Sequence, residues 1–206
     1  ENHTLMRYQL SHERLDLYKV YLEAASLCAD IISQSKRTII AFDHLDRAME
    51  SIGINFMRAN AQDAGSAQYV ADIDVSIAST HECAASIDVC LARQTIEEST
   101  YTACMGKLWR VRGMLLGLKR SGSNQMREEF GVYGKPQFPF MVLDMYGFAL
   151  EAVHWVQCLV DELKPKAKVC RKLDISTTGT VLNIAEGHGR SSVADQNRFM
   201  KIAQKH

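Results

Sequence analysis

The chain has 206 residues, of which 47% are hydrophobic and 23% charged, with only three prolines. This composition is typical of a helix-rich protein with a substantial core, and no apolar run approaches the ~20 residues that span a membrane. The net charge is zero, but residues 1–103 carry eight Lys/Arg and fifteen Asp/Glu, whereas residues 104–206 carry sixteen and nine. Either chance produced this −7/+7 split, or it reflects complementarity between the halves, between subunits or with a polyanion.

The first half contains four amphipathic segments, at about 12–34, 39–61, 67–93 and 96–119, with apolar residues three and four apart. The third is rich in Ala and Ser, which indicates close packing of helix backbones. Thr95 and Glu98 have the spacing of a capping box, which predicts the start of the fourth helix. Short polar turns join the segments, so we expect an antiparallel up-and-down four-helix bundle over residues 1–120.

Residues 121–139 interrupt this pattern with glycines and prolines that cannot continue a helix. We interpret them as a linker. Its aromatic residues predict that it packs against a bundle; they are Phe130, Tyr133, Phe138 and Phe140.

A second helical unit is predicted over residues 140–206. It has one helix ending near Lys164, a second at about 168–187, and a third that Ser192 caps. Compared with the first unit, most of the third helix and all of the fourth are missing. Such a unit would expose a long apolar groove, which is unfavourable in water. We expect the groove to be filled either by residues beyond this chain or by a neighbouring subunit.

The two units are related by a shift of 128 residues. Without a gap, nine identities fall in the 45 aligned positions 16–60. They are Asp16/Asp144, Tyr18/Tyr146, Leu22/Leu150, Glu23/Glu151, Ala24/Ala152, Lys36/Lys164, Leu45/Leu173, Asp46/Asp174 and Asn55/Asn183. We therefore predict a tandem duplication whose second copy is incomplete.

The six cysteines have no closely spaced pairs, which favours reduced, mostly buried thiols of a cytoplasmic protein over a disulfide scaffold or a zinc site. They are Cys28, Cys83, Cys90, Cys104, Cys158 and Cys170. Glu151 and His154 have the Glu-x-x-His spacing of di-iron bundles. However, the position equivalent to His154 is Ser26, so the second pair that a di-metal site needs is missing. We predict no metal and no cofactor.

The stretch from Gly187 to Ser192 has two interpretations. It could be a phosphate-binding loop before a helix N-terminus, but it lacks the preceding strand and the Lys-Ser/Thr of a P-loop. We favour the alternative, in which Gly187 ends one helix with a positive φ and Ser192 begins the next. No spacing groups Ser, His and Asp into a triad, and there is no nucleophile elbow. We therefore predict no catalytic residue and no enzymatic activity.

Two clusters of basic residues are candidates for a polyanion or partner surface. The first is Lys107, Arg110, Arg112, Lys119 and Arg120, and the second is Lys164, Lys166, Lys168, Arg171 and Lys172. Phosphate contacts need cations at this density, although aromatic residues for base stacking are nearly absent beyond Trp109. The other interpretation is a solvated face or a contact with an acidic subunit.

The sequence Asn-Ile-Ala-Glu-Gly-His-Gly-Arg at 183–190, followed by Arg-Phe-Met-Lys-Ile-Ala at 198–203, resembles the signature of the 23S ribosomal RNA intervening-sequence proteins. Residues 13–19 resemble the opening helix of that family. The signature residues are Asn183, Ala185, Glu186, Gly187, Gly189 and Arg190. At the corresponding turn the first copy has Met57, Arg58, Ala59 and Asn60 instead. The accessory variability proteins of diversity-generating retroelements are similar four-helix bundles.

This resemblance implies a small non-enzymatic bundle that assembles into rings, commonly pentamers. The retroelement relatives further imply binding to a reverse transcriptase and to nucleic acid, although they are basic single bundles and this chain is neutral and duplicated. We therefore expect an oligomeric scaffold or adaptor that binds a protein partner. The alternative is a nucleic-acid-binding accessory factor that uses the two basic clusters.

Overall fold

The computed structural model describes residues 11–35, 37–122, 137–190 and 192–206, and within these ranges the chain is all-α, as the sequence predicts. The α-helices are α1 (Asp16–Gln34), α2 (Ile40–Asn60), α3 (Ala67–Ala92), α4 (Glu98–Gly122), α5 (Asp144–Leu163), α6 (Ala167–Gly189) and α7 (Val193–Ala203). Short 3₁₀ turns at Ser11–Arg14 and Pro139–Val142 precede α1 and α5. No helix in the described part of the chain is both long enough and apolar enough to cross a bilayer.

The first four helices each pack against two of the others. Helix α2 lies along α3, α3 along α4, α4 along α1, and α1 against α2. The apolar positions that predict these helices face inward, and Leu45, Ile52 and Leu108 are completely buried. Burial of each such side chain contributes about 1.5–3 kcal/mol, so the shared apolar interior holds the four helices together.

Helix α3 is the central element, because its opposite side packs along α6 and also touches α5. Nearly every residue from Ser76 to Cys90 is buried. Ala78, Ala84 and Ala85 are 0% exposed, and small side chains of this kind let helix backbones approach closely. Consequently the two predicted units share a single core with α3 between them.

The end of the predicted linker packs into this core. Phe138 and Phe140 are buried, with the Phe138 ring 5.5 Å from that of Trp109 and the Phe140 ring 4.8 Å from that of Tyr146. Packing of the linker aromatics is therefore confirmed for these two residues. Phe130 and Tyr133 lie outside the described residues.

Two predictions of helix ends are wrong. The Thr95 hydroxyl donates to the Cys90 carbonyl (2.9 Å) and so closes the end of α3 instead of capping α4, which begins at Glu98. Gly187 lies inside α6 and has no positive φ. Glycine is needed there for space, because a Cβ would lie 2.9 Å from the Cβ of Phe199. The predicted cap of α7 is confirmed, since the Ser192 hydroxyl accepts from the Asp195 amide.

The cysteines are free thiols, and four of the six are buried. Burial raises the pKa of the Cys83 thiol well above its usual value and that of Cys90 to about 12. These thiols behave as small apolar side chains in the core.

Candidate partner-binding surface

One face of α5 carries large apolar side chains that remain exposed among the residues that the structure describes. Met145 is 52% exposed, Phe148 68%, Trp155 63% and Leu163 68%. Their spacing places them, with Ala152, along one side of the helix; we call these five residues the α5 face. Exposed apolar patches mark interaction sites when their side chains are contiguous.

The opposite side of α5 anchors the helix to the core. Tyr146, Val153, Val156 and Gln157 are buried there, so packing of this side fixes the orientation of α5. The exposure of the α5 face is therefore a consequence of how the rest of the helix packs.

Acidic side chains follow one edge of the α5 face. At 3.6 residues per turn, Asp144, Glu151 and Glu162 fall along the same edge, and all three are exposed. Within the described ranges none of them forms an ion pair. Helix α5 contains no Lys or Arg, so the exposed side of this helix combines apolar surface with negative charge.

The other edge of the α5 face borders a shallow groove between α5 and α6. A cleft of about 110 Å³ there is lined by Ala149, Ala152, Ser176, Thr177, Thr180 and His206. These side chains are mostly small, so a further element could approach the backbones of both helices.

The equivalent face of α1 is largely buried. Leu17, Val20 and Ala24 are at most 5% exposed, and Leu27, the counterpart of Trp155, is half-buried. Helix α4 is the one that packs most extensively on α1. At the edge of this contact Lys107 of α4 forms an ion pair with Glu23. The hydrogen bond from Lys107 is the main cause that lowers the pKa of Glu23.

The residues of the predicted signature turn form a junction between helices. Asn183 donates to the Gly179 carbonyl (2.6 Å), and its counterpart Asn55 makes the same contact with the Ser51 carbonyl (2.8 Å). Glu186 and Arg190 form an ion pair one helical turn apart. Burial is the main cause that raises the pKa of Glu186.

The two glycines of the signature allow close contacts on different sides of α6. Gly187 lies against Phe199 of α7, whereas a Cβ at Gly189 would lie 2.8 Å from Nδ1 of His81 and 3.1 Å from Cα of Ala78. The guanidinium of Arg190 lies 5.1 Å from the centre of the Phe199 ring. With Ala185 completely buried, the signature residues join α6 to α3 and α7.

The first basic cluster is largely engaged within the chain. Lys107 pairs with Glu23, and Lys119 with Asp74 (2.6 Å). Arg112 donates to Nε2 of the buried His81 (2.9 Å) and lies over the Trp109 ring. Burial, followed by the nearby Arg112 guanidinium, lowers the pKa of His81 to about 3. Arg110 and Arg120 are the exposed members of this cluster.

The second basic cluster is exposed throughout. Lys164, Lys166, Lys168, Arg171 and Lys172 lie on the turn between α5 and α6 and on the first turns of α6. In the part of the chain that the structure describes, none of these five forms an ion pair. The two basic clusters therefore differ: the first is largely paired within the chain, whereas the second is exposed and forms no ion pair among the described residues.

The Glu-x-x-His pair lies at the surface. Glu151 and His154 are both exposed, and Nδ1 of His154 is 3.1 Å from the Ala92 carbonyl oxygen. Among the described residues, no three His, Cys, Asp or Glu side chains are grouped closely enough to hold a metal ion.

Sequence reasoning missed a buried carboxylate that joins three helices. Asp88 of α3 accepts hydrogen bonds from Tyr101 of α4 (3.0 Å) and from Tyr146 of α5 (2.6 Å). Burial raises the pKa of Asp88 to about 6, although both hydroxyls act in the opposite direction. An Asp within an Ala-rich, apolar helix was the signal that could have indicated it.

A second buried polar cluster surrounds Arg93, just after α3. Its guanidinium donates to Gln157 (3.1 Å) and Thr177 (2.9 Å) and pairs with Asp174 (2.9 Å). Asp174 also accepts from the Ile40 amide at the start of α2 (2.9 Å). This cluster lies beside a cleft of about 880 Å³, across which Arg37 pairs with Asp161. Its charged groups are paired with one another, so it acts chemically as a junction between helices.

Comparison with protein-family models, with curated proteins and with solved structures found no match. The assignment of function therefore depends on the residues and on their geometry.

Proposed function

We propose that the chain is a non-enzymatic helical scaffold that self-assembles and binds a protein partner. In this proposal residues 1–120 and 140–206 are tandem four-helix-bundle units, the second incomplete, joined by residues 121–139. The family is that of the 23S ribosomal RNA intervening-sequence proteins, and the number of subunits, five, is taken from that resemblance. A reverse transcriptase is the partner class that the retroelement relatives suggest, and we propose a cytoplasmic location.

The observation that carries this proposal is the α5 face. Four large apolar side chains, each more than half exposed, lie on one side of a helix whose other side is firmly packed. Keeping such a surface in water is unfavourable. Binding of another polypeptide removes this surface from water, which favours a scaffold function.

Self-assembly is supported by a second pair of exposed apolar residues. Leu22 is 47% exposed and Ile54 44%, whereas their repeat counterparts Leu150 and Leu182 pack against the common core. A contact of the same kind made by another copy would cover Leu22 and Ile54. Such a contact joins two different surfaces, and a head-to-tail contact of this type closes into a ring when its rotation permits.

The absolute mass in solution, measured by light scattering at low and at moderate salt, tests self-assembly. We expect an oligomer that persists at moderate salt, because the proposed contact is apolar. Leu22→Asp combined with Ile54→Asp should reduce the mass towards that of one chain, whereas Phe148→Asp should leave it unchanged. A wild-type protein that remains monomeric at both salt concentrations would contradict self-assembly.

A second candidate function, nucleic-acid binding, is favoured by the exposure of the second basic cluster. Since the first cluster is largely paired internally, this candidate rests on Lys164, Lys166, Lys168, Arg171 and Lys172. If all five contact phosphates, affinity for RNA or DNA should fall on the order of 10²-fold or more between low and moderate salt.

Lys168→Glu combined with Lys172→Glu should then weaken binding and reduce the salt dependence. Lys19→Glu, at an exposed lysine that pairs with Asp16 on α1, is the matched control and should change neither. Weak binding that does not depend on salt would exclude this candidate.

A further inference from the structure

Two exposed side chains of α5, Cys158 and His154, form a thiol–imidazole pair. The Sγ atom of Cys158 lies 3.7 Å from Nε2 of His154, and both residues are exposed. Residues four apart lie on the same side of an α-helix, so the backbone of α5 holds the thiol beside the ring. The pair combines a nucleophile with a base, and the scaffold proposed above uses neither.

The second nitrogen of the His154 ring fixes the tautomer. Nδ1 lies 3.1 Å from the carbonyl oxygen of Ala92, the last residue of α3. Because a carbonyl oxygen can only accept a hydrogen bond, Nδ1 of the neutral ring carries the proton and Nε2 presents its lone pair to the Cys158 thiol. A nucleophile beside a base that a third group orients is the arrangement that activates cysteine for covalent chemistry.

The other cysteines lack this arrangement. Among the six, all of which the structure describes, Cys158 alone is exposed. Four are buried in the core, where thiols are inert. Cys170 is half-buried, and its thiol donates to the Pro165 carbonyl oxygen (3.5 Å), which cannot take up the proton as an imidazole nitrogen can. Cys158 is therefore the cysteine that combines access with a neighbouring base.

The position of the pair on α5 keeps it accessible whatever covers the α5 face. At 3.6 residues per turn, His154 and Cys158 lie on the far side of the acidic edge from that face. Their repeat counterparts, Ser26 and Asp30, are exposed although α4 packs along α1. A helix that covered α5 in the way that α4 covers α1 would therefore leave Cys158 in contact with solvent.

We propose that Cys158 is a modification site whose thiol exchanges with low-molecular-weight disulfides. Nε2 of His154 accepts the thiol proton as the Cys158 sulfur attacks one sulfur of the disulfide, and the S–S bond of the reagent breaks. The product is a mixed disulfide on Cys158, and the released thiolate takes the proton back from the imidazolium. This inference is independent of the proposed scaffold function, because it uses no residue of the α5 face.

Dithiodipyridine serves as the probe, because the thiopyridone that it releases is measured by its absorbance. It is uncharged, so the acidic side chains of α5 and the basic ones at the start of α6 have little influence on the rate. Near neutral pH the folded chain should show one fast-reacting thiol, and Cys158→Ser should remove this phase. His154→Gln keeps an N–H group for the Ala92 carbonyl but has no base, so the rate should fall about tenfold or more. Cys170→Ser should leave the fast phase unchanged.

Asp30→Cys in a Cys158→Ser background is the matched control. It places a thiol at the exposed repeat counterpart of Cys158, one turn after Ser26, which is not a base. This thiol should react about as slowly as Cys158 does in the His154→Gln variant. If it reacted as fast as Cys158 of the wild type, or if His154→Gln left the rate unchanged, exposure alone would explain the reactivity and the proposal would be overturned. A fast phase that persists in Cys158→Ser, or no fast phase in the wild type, would overturn it as well.

Discussion

Helices α1 and α5 carry the same pattern of apolar residues, yet one face is buried and the other is exposed. Val20 is 5% exposed and its counterpart Phe148 is 68% exposed. Helix α4 covers α1, whereas α5 is held to the core by its other side, through Tyr146, Val153 and Val156. The difference teaches that an amphipathic pattern specifies a face to be covered, while the neighbouring elements decide whether the chain itself covers it.

Substitutions of the repeat counterparts Asp174 and Asp46 should show the largest difference in unfolding free energy. Asp174→Ala leaves the buried Arg93 guanidinium without its carboxylate partner, which we expect to cost about 3–5 kcal/mol of unfolding free energy. Asp46 is exposed and forms no ion pair among the described residues, so Asp46→Ala should change little. Chemical denaturation of both variants measures the two effects, and equal losses would contradict the assigned role of Asp174.

The next largest difference is expected between the two apolar faces. Leu17→Ala creates a cavity under α4 and should cost about 2–4 kcal/mol. Met145→Ala, at the counterpart on the exposed face, should remain within about 0.5 kcal/mol of the wild type. Urea denaturation measures both, and a large loss for Met145→Ala would mean that the α5 face is already covered.

Substitutions of the counterparts Tyr146 and Tyr18 should show a smaller difference in unfolding free energy, and this difference should depend on pH. Tyr146→Phe removes one of two donors to Asp88 and should cost about 1–3 kcal/mol near neutral pH. Since the pKa of folded Asp88 is raised to about 6, its carboxylate needs the donors above that pH. As the pH falls through this value the carboxyl becomes protonated, so the cost of Tyr146→Phe should shrink.

Stability measured at about pH 8 and about pH 5 checks this prediction, and Tyr18→Phe is the control. Because burial lowers the pKa of His81, this histidine reduces the unfolding free energy of every variant towards low pH. That contribution cancels when each variant is compared with the wild type. A cost of Tyr146→Phe that grows towards low pH would contradict the assignment.

The smallest expected effect is a gain in stability. Gly147 lies exposed in α5, with no atom of the described residues within 4 Å of the position that a Cβ would occupy, and its counterpart on α1 is Lys19. Gly147→Ala should therefore stabilise the protein by about 0.5–1 kcal/mol. Gly189→Ala should do the opposite, because its Cβ would strike His81. Thermal unfolding of the two variants distinguishes a helix-propensity effect from a packing effect.

The helices could be predicted from the sequence because residues such as Leu45, Ile52 and Leu108 recur at the helical period. Which helices pack against α3 could not be predicted from the sequence. This helix is buried on nearly all sides from Ser76 to Cys90, so it has no polar face that indicates which side faces the solvent. The pairing of Arg93 with Asp174 joins residues far apart in the chain, which spacing cannot show.

The candidate surface was predictable only in part. The internal repeat predicts that α5, like α1, has a face that a further helix can cover. It did not indicate which face of α5 would remain open, because Phe148 and Val20 occupy the same position in the pattern. Only the packing of Tyr146 and Gln157 against the core decides this.

Acrylamide quenching of Trp155 fluorescence, in a Trp109→Phe background, tests the central claim most directly. Trp155 is 63% exposed and lies in the middle of the α5 face. We predict that acrylamide quenches it almost as strongly in the folded chain as in the unfolded chain. A Trp155 that is already protected in the chain alone would contradict the exposed face on which the proposed function rests.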